Sequence, residues 1–229
     1  MPRISEEDGY LTVVNMFKTD ECEKRDRLLE EMRSIVDTAD FPGWMSSTVH
    51  SGQGTPGTLN FIHWRSREDL MLRYQDDKFQ HGTIPLFGEL ATMKLLQTNV
   101  VFTQRIPSLE VTEISPARDD YTVVEFFGVA EEDQDTLVEV LGQDQAYLLD
   151  TPGYRTHSVL RGIGARYYEG SFVLVYSQWD SKESYDAYRE QAEADQPDAS
   201  RKVRARLDSL VTYAEWNSYR VWHTRSAGE

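Results

Sequence analysis

The chain reads as an α+β protein made of two copies of one domain of about a hundred residues, joined in tandem. Three matches between the halves carry that reading. Leu11-Thr12-Val13-Val14-Asn15-Met16-Phe17 lies over Tyr121-Thr122-Val123-Val124-Glu125-Phe126-Phe127 at an offset of 110. Phe41-Pro42-Gly43-Trp44 lies over Thr151-Pro152-Gly153-Tyr154 at the same offset. Trp64-Arg65-Ser66-Arg67-Glu68 lies over Trp179-Asp180-Ser181-Lys182-Glu183, the offset now 115 because the second hairpin is longer. Matches kept in one order mark an internal duplication.

Each half predicts the same elements in turn. A β-branched run, Thr12 to Phe17 and Thr122 to Val129, is the first strand. A charged stretch of helical period follows, from Asp20 to about Thr38 and from Glu131 to about Leu149. Pro-Gly breaks that helix and turns the chain. The second strand runs over Trp44 to His50, or Tyr154 to Arg161. In the first copy it meets a glycine-rich turn, Ser51 to Gly57. The third strand covers Asn60 to Trp64, or Ser171 to Trp179. Ser66 and Ser181 stand where an N-cap belongs, with acidic residues in the turn behind them. Helical segments then run to about Leu96 and Leu210, and a fourth strand closes each half, Thr98 to Gln104 and Val211 to Trp222.

Strand-helix-strand-strand-helix-strand is the ferredoxin-like order, with helices on one face of a four-stranded antiparallel sheet. The bare face is apolar, so covering it with a second sheet removes a large surface from water. The expectation is therefore two tandem ferredoxin-like domains, 1–106 and 120–229, packed sheet to sheet within one chain as a dimeric α+β barrel. Residues 107–119, with Pro107, Ser115 and Pro116, form the expected linker.

Composition narrows the function. With 39% hydrophobic and 11% aromatic residues the chain can build a packed core. Its formal net charge of −15 argues against a nucleic-acid partner or docking on an anionic membrane. The single cysteine, Cys22, allows no intramolecular disulfide and no thiolate zinc cage, and its acidic neighbours discourage a nucleophilic role. The N-terminus lacks a signal-peptide pattern and no run approaches the ~20 apolar residues of a membrane span, so a cytoplasmic protein is expected. Neither Gly52-Gln53-Gly54-Thr55-Pro56-Gly57 nor Arg161-Gly162-Ile163-Gly164 opens a helix, so neither reads as a phosphate-cradling loop. No Gly-x-Ser-x-Gly elbow is present.

The segment Tyr176-Ser177-Gln178-Trp179-Asp180-Ser181-Lys182-Glu183-Ser184-Tyr185 resembles the third-strand signature of the antibiotic biosynthesis monooxygenase family. Asn60-Phe61-Ile62-His63-Trp64-Arg65-Ser66-Arg67-Glu68 is a looser version of it. The resemblance covers nearly the whole chain, once per half, and family members are dimeric α+β barrels, so this chain resembles a fused dimer. Within the family, anthrone oxygenases of aromatic polyketide pathways are implied to use an asparagine four residues before that tryptophan. Asn60 and Trp64 match, whereas the second half has Val175 before Trp179. The resemblance also implies a tyrosine six residues after the tryptophan, present as Tyr185 and replaced in the first half by Leu70.

Side chains alternate along a strand, so Asn60, Ile62 and Trp64 share one face and His63 takes the other. If that face is the helix-covered one, an amide and an indole N–H look into an apolar pocket suited to a planar phenolic ligand. The two would stabilise a developing oxyanion, worth about 2.7–4 kcal/mol per well-placed donor. The plain alternative makes Trp64 core and Asn60 the cap of a bulge. His81, after the second helix, could swing over the pocket mouth as a general base, or be a surface loop histidine. Tyr74, Trp179 and Tyr185 are the candidate substrate contacts, and Tyr185 with Tyr188 read equally as core aromatics. The scattered histidines His50, His63, His81, His157 and His223 form no metal-binding pair.

The leading expectation is an oxygenase that uses O2 to oxidise a phenolic or anthrone-like aromatic polyketide, to a quinone or with ring opening. Two schemes stay open: no cofactor, the substrate anion itself reducing O2; or reduced flavin (FADH2 or FMNH2) supplied by a partner flavin reductase, as resemblance to angucycline ring-opening oxygenases implies. A second reading is haem degradation, for which Asn15 and Trp64 fit but the position ten beyond Trp64 is Tyr74 and His81 lies seven further on. A third is a non-catalytic, cyclase-like polyketide-binding protein. The first half is expected to be catalytic and the second mainly to supply the sheet partner; a homodimer of the fused pair stays open.

Overall fold

The computed structural model describes residues 2–229. In the first half β1 (Leu11–Lys18) leads to α1 (Cys22–Asp37), then β2 (Trp44–Gly52), β3 (Gly57–Trp64), α2 (Arg67–Gln75), α3 (Ile84–Leu90) and β4 (Thr92–Arg105). The second half repeats the order as β5 (Tyr121–Val129), α4 (Gln134–Leu141), β6 (Tyr154–Arg166), β7 (Ser171–Trp179), α5 (Lys182–Glu190), α6 (Asp198–Leu210) and β8 (Val211–Ser226). The eight long strands close into one antiparallel barrel in the order β8-β2-β3-β1-β4-β6-β7-β5. The two four-stranded sheets thus face one another and also join edge to edge, β4 to β6 and β8 to β2. Closure pairs the backbone groups that a lone sheet would leave open at its edges.

The period of two sorts each strand between two environments. Val14, Phe61 and Leu96 point into the barrel with Phe126, Leu174 and Tyr176 of the other half, and together they fill it. The alternating residues, such as Val13, Trp64 and Leu95, face the helices. Inside the barrel His50 Nδ1 donates to the Thr48 carbonyl at 3.1 Å, which leaves Nε2 to accept from the Tyr176 hydroxyl at 2.9 Å across the two halves.

The repeated motifs explain themselves geometrically. Gly43 and Gly153 adopt φ of +75° and +80° in the turn after the first helix, and their carbonyls accept from the Arg65 and Asp180 amides at 2.7 and 2.8 Å. Each turn therefore clamps the end of the third strand. Ser66 and Ser181 then cap α2 and α5, accepting from the Asp69 and Ser184 amides at 3.2 Å each. A Cβ on Gly43 would collide with the Asp69 carboxyl, which Arg65 and Ser66 already hold. Gly43→Ala is expected to lower the unfolding free energy by about 2–3 kcal/mol, through the left-handed backbone and that collision, read from urea midpoints.

Two expectations change. The second helical segment of the first half stops at Leu90, and Leu95 and Leu96 belong to β4, which begins at Thr92. They are adjacent apolar residues on opposite faces of a strand buried on both sides, a pattern that also fits a buried helix. Between Gln75 and Ile84 the chain makes a π-helical turn, Phe79–Thr83. The stretch Glu131 to Leu149 is broken at Gly142 into α4 and a 3-10 segment, Gln143–Asp150. The segment between the halves is tied down: Thr112–Glu113 pairs with Arg3–Ile4, and Ile4 and Ile114 join the barrel core.

Candidate active site

Asn60 lies on β3 directly opposite Asn15 on β1, so their side chains stand side by side on the helix-facing surface. One step along the same face is Ile62, and the next is Trp64, paired with Trp44 of β2. α1, α2 and the π-helical turn roof this surface, leaving a cavity of about 70 Å3 bordered by Asn15, Asn60, Trp64, Tyr74 and Phe79. The indole of Trp64 stacks on Phe41 at 6.5 Å and Tyr74 on Phe79 at 5.5 Å. Arg73 lies over Phe41 and Phe79, 4.0 and 4.7 Å from their centroids.

Four polar atoms at this cavity are buried without a hydrogen-bond partner: Asn15 Oδ1, Asn60 Oδ1, Trp64 Nε1 and the Tyr74 hydroxyl. The other two buried indoles are satisfied. Trp44 Nε1 donates to Ser47 Oγ at 2.9 Å and Trp179 Nε1 to Ser177 Oγ at 3.2 Å. Each unpaired group costs about 1–3 kcal/mol, so four around one apolar cavity fit a ligand that completes them. Burial pushes the Tyr74 phenol up to about 12 despite Arg166, whose guanidinium lies 4.9 Å over its ring, so Tyr74 is a neutral donor and acceptor.

The structure brings Asn60, Trp64 and Tyr74 together and sets the remaining candidates apart. His81 sits in the π-helical turn but points outward: its ring is 73% exposed and its Nδ1 lies 2.9 Å from Asp77. It does not reach the cavity, because a carboxylate four residues earlier on the same turn holds it in solvent. Among the described residues no histidine borders this cavity, which leaves the Asn15–Trp64 pair without a histidine to ligate haem there. Trp179 and Tyr185 lie beneath the helices of the second half, where their rings meet at 5.4 Å. Sequence reasoning missed Asn15 as a partner of Asn60; matching β1 to β3 in antiparallel register would have found it.

The second half has a pocket of its own, about 260 Å3, beside Trp179 and Tyr185. The equivalent positions carry different chemistry: Glu125 replaces Asn15, Val175 replaces Asn60 and Arg189 replaces Tyr74. Among the described residues no group of three or more His, Cys, Asp or Glu is placed to hold a metal ion, and no helix is long and apolar enough to cross a membrane.

A closed barrel of two ferredoxin-like halves, with an apolar cavity and convergent polar groups beneath the helices, defines a small-molecule enzyme of the dimeric α+β barrel class. The sequence profile of the antibiotic biosynthesis monooxygenase family matches residues 120–196. A crystal structure described as an anthrone oxidase-like protein is 51% identical, with a TM-score of 0.97 over 100% of this chain and 98% of that one. Proteins assigned as monooxygenases from Fusobacterium nucleatum and Lactobacillus acidophilus share the fold at 10% identity each. Their TM-scores are 0.60 and 0.54, covering 97% and 96% of this chain and 96% and 98% of theirs. No protein of curated function matches the sequence. The chain belongs to the antibiotic biosynthesis monooxygenase family and is an oxygenase.

Proposed function

We propose that the first-half cavity oxidises a planar hydroxylated aromatic ketone of the anthrone type with O2. The observation that carries this is the set of four unpartnered polar atoms around the cavity. The Asn15 and Asn60 oxygens accept from ring hydroxyls, while Trp64 N–H and the Tyr74 hydroxyl donate to the ring carbonyl. As the ring methylene loses a proton to water at the mouth, negative charge grows on that carbonyl oxygen, where fixed donors in an apolar site act most strongly. The electron-rich anion passes an electron to O2, the resulting radicals join at the carbon, and the hydroperoxide loses water to leave a second carbonyl. One ketone and one O2 thus give one quinone and one water, and the chain supplies orientation and oxyanion stabilisation.

A cavity of about 70 Å3 is below the ~300–1,000 Å3 of most ligand sites, so the roof opens to admit a tricyclic ring. The mobile part of this proposal is the π-helical turn Phe79–Thr83, which supplies Phe79 to the wall. Such turns are common at functional sites. In this scheme the substrate anion supplies the electrons, so no cofactor is required. The test is O2 uptake with 1,8-dihydroxyanthrone, with and without reduced flavin and a flavin reductase. Equal rates support direct reduction of O2 by the substrate; uptake only with reduced flavin overturns it.

A further inference from the structure

The second pocket is built for a different task. Glu125 is the one carboxylate on the helix-facing surface of β5, and its Oε1 lies 3.6 Å from Arg189, outside hydrogen-bond reach. Arg189 donates instead to the Tyr185 hydroxyl at 3.1 Å and lies 4.5 Å from the ring centroid of Trp216. Because that hydroxyl oxygen accepts from Arg189, its own hydrogen is free to point into the cavity. Trp179, stacked with Tyr188 at 5.1 Å, provides a flat apolar wall. A carboxylate, a phenolic donor backed by a guanidinium, and an aromatic wall around about 260 Å3 make up an acid–base site. The first cavity has no such base.

We propose that this pocket is a second catalytic site, in which Glu125 moves a proton on an enolisable aromatic ketone while Tyr185 and Arg189 hold its oxygen. The Glu125 carboxylate takes a proton from the carbon conjugated with the carbonyl, and the C–H electron pair shifts onto the carbonyl oxygen. The Tyr185 hydroxyl donates to that enolate oxygen, and the carboxyl returns a proton to carbon. Nothing is oxidised or reduced. Burial raises the Glu125 carboxyl above the ordinary carboxylate range and Arg189 opposes the rise, so the group is a stronger base than a solvated carboxylate. Burial, with the charge of Glu125 added, also keeps the Tyr185 phenol protonated.

The experiment is anaerobic deuterium uptake at the ring methylene of 1,8-dihydroxyanthrone in D2O, followed by NMR with the full-length protein. Excluding oxygen stops oxidation but not proton loss in the first cavity, so wild type and Glu125→Gln are compared in an Asn60→Val, Trp64→Phe background that removes that cavity's share. The wild type should exceed the buffer background, and Glu125→Gln, a change of nearly equal shape, should lower the protein-dependent rate by about 10²-fold or more. Arg189→Met should move the acid limb of the pH–rate profile to higher pH, because losing the cation raises the Glu125 carboxyl further. A wild type at the buffer rate, or a Glu125→Gln protein that exchanges like the wild type, overturns the proposal. An unmoved profile in Arg189→Met does the same.

Discussion

Asn60→Val should abolish most oxidation of an anthrone while leaving the protein as stable as before or more so. Valine is the residue the second half carries at the same place, Val175, where it is buried at 3% exposure, so the strand accepts it. Removing an unpartnered buried amide oxygen relieves a cost of about 1–3 kcal/mol that no intramolecular contact returns. The same change deletes an acceptor that orients the ring hydroxyls and so places the reacting carbonyl against its donors, with an expected loss in kcat of about 10²-fold. Trp64→Phe should lose as much, because phenylalanine keeps an aromatic wall and lacks the N–H. Activity that falls as stability holds marks a binding site; a Trp64→Phe enzyme with unchanged kcat would return Trp64 to the core. His81→Ala should stay within about twofold of wild type, since its ring faces solvent against Asp77.

Acidification should destabilise the fold steeply between pH 7 and pH 5, well above the range in which carboxylates titrate. Desolvation holds three buried histidines, His50, His63 and His157, down from 6.5 to about 4. At His157, Nε2 donates to the Leu141 carbonyl at 3.1 Å and Nδ1 accepts from the Tyr154 hydroxyl at 2.8 Å, a network that requires a neutral ring. The unfolded chain binds these protons from about pH 6.5 downward, while the native chain binds them only near pH 4. The stability they confer is therefore complete above the unfolded value and is lost as pH falls toward 4. Each contributes about 2 kcal/mol of loss between pH 7 and pH 5, or about 5–6 kcal/mol together. Urea unfolding at the two pH values reads this directly. Equal midpoints would show that the imidazoles are charged in the native state or hydrated there.

The fold was legible because its signals are local and come twice. Pro42-Gly43 and Pro152-Gly153 stand at left-handed turns, and Ser66 and Ser181 are caps, so each half reports the other. What escaped depends on distance through space. Edge-to-edge closure between β4 and β6 leaves no periodic mark in either strand, and Leu95-Leu96 reads as helix or strand alike. At the site, alternation placed Asn60 and Trp64 on one face, and the four-residue spacing of the family resemblance singled them out. Pairing of Asn15 with Asn60 follows from register. Neither the outward turn of His81 nor the carboxylate-arginine-phenol grouping of the second pocket shows in any spacing along the chain. Those arise from the π-helical turn and from α5 folding over β5 and β7.

A crystal structure with bound 1,8-dihydroxyanthraquinone, the quinone expected from oxidation, bears most closely on the placement of the site. The ring should lie between β3 and the opened π-helical turn, its carbonyl oxygen within about 2.7–3.1 Å of Trp64 Nε1 and the Tyr74 hydroxyl and a ring hydroxyl at the same distance from Asn60 Oδ1. A quinone found only in the second pocket or on the outer surface, with the first-half roof closed over Asn15, Asn60 and Trp64, would contradict that placement.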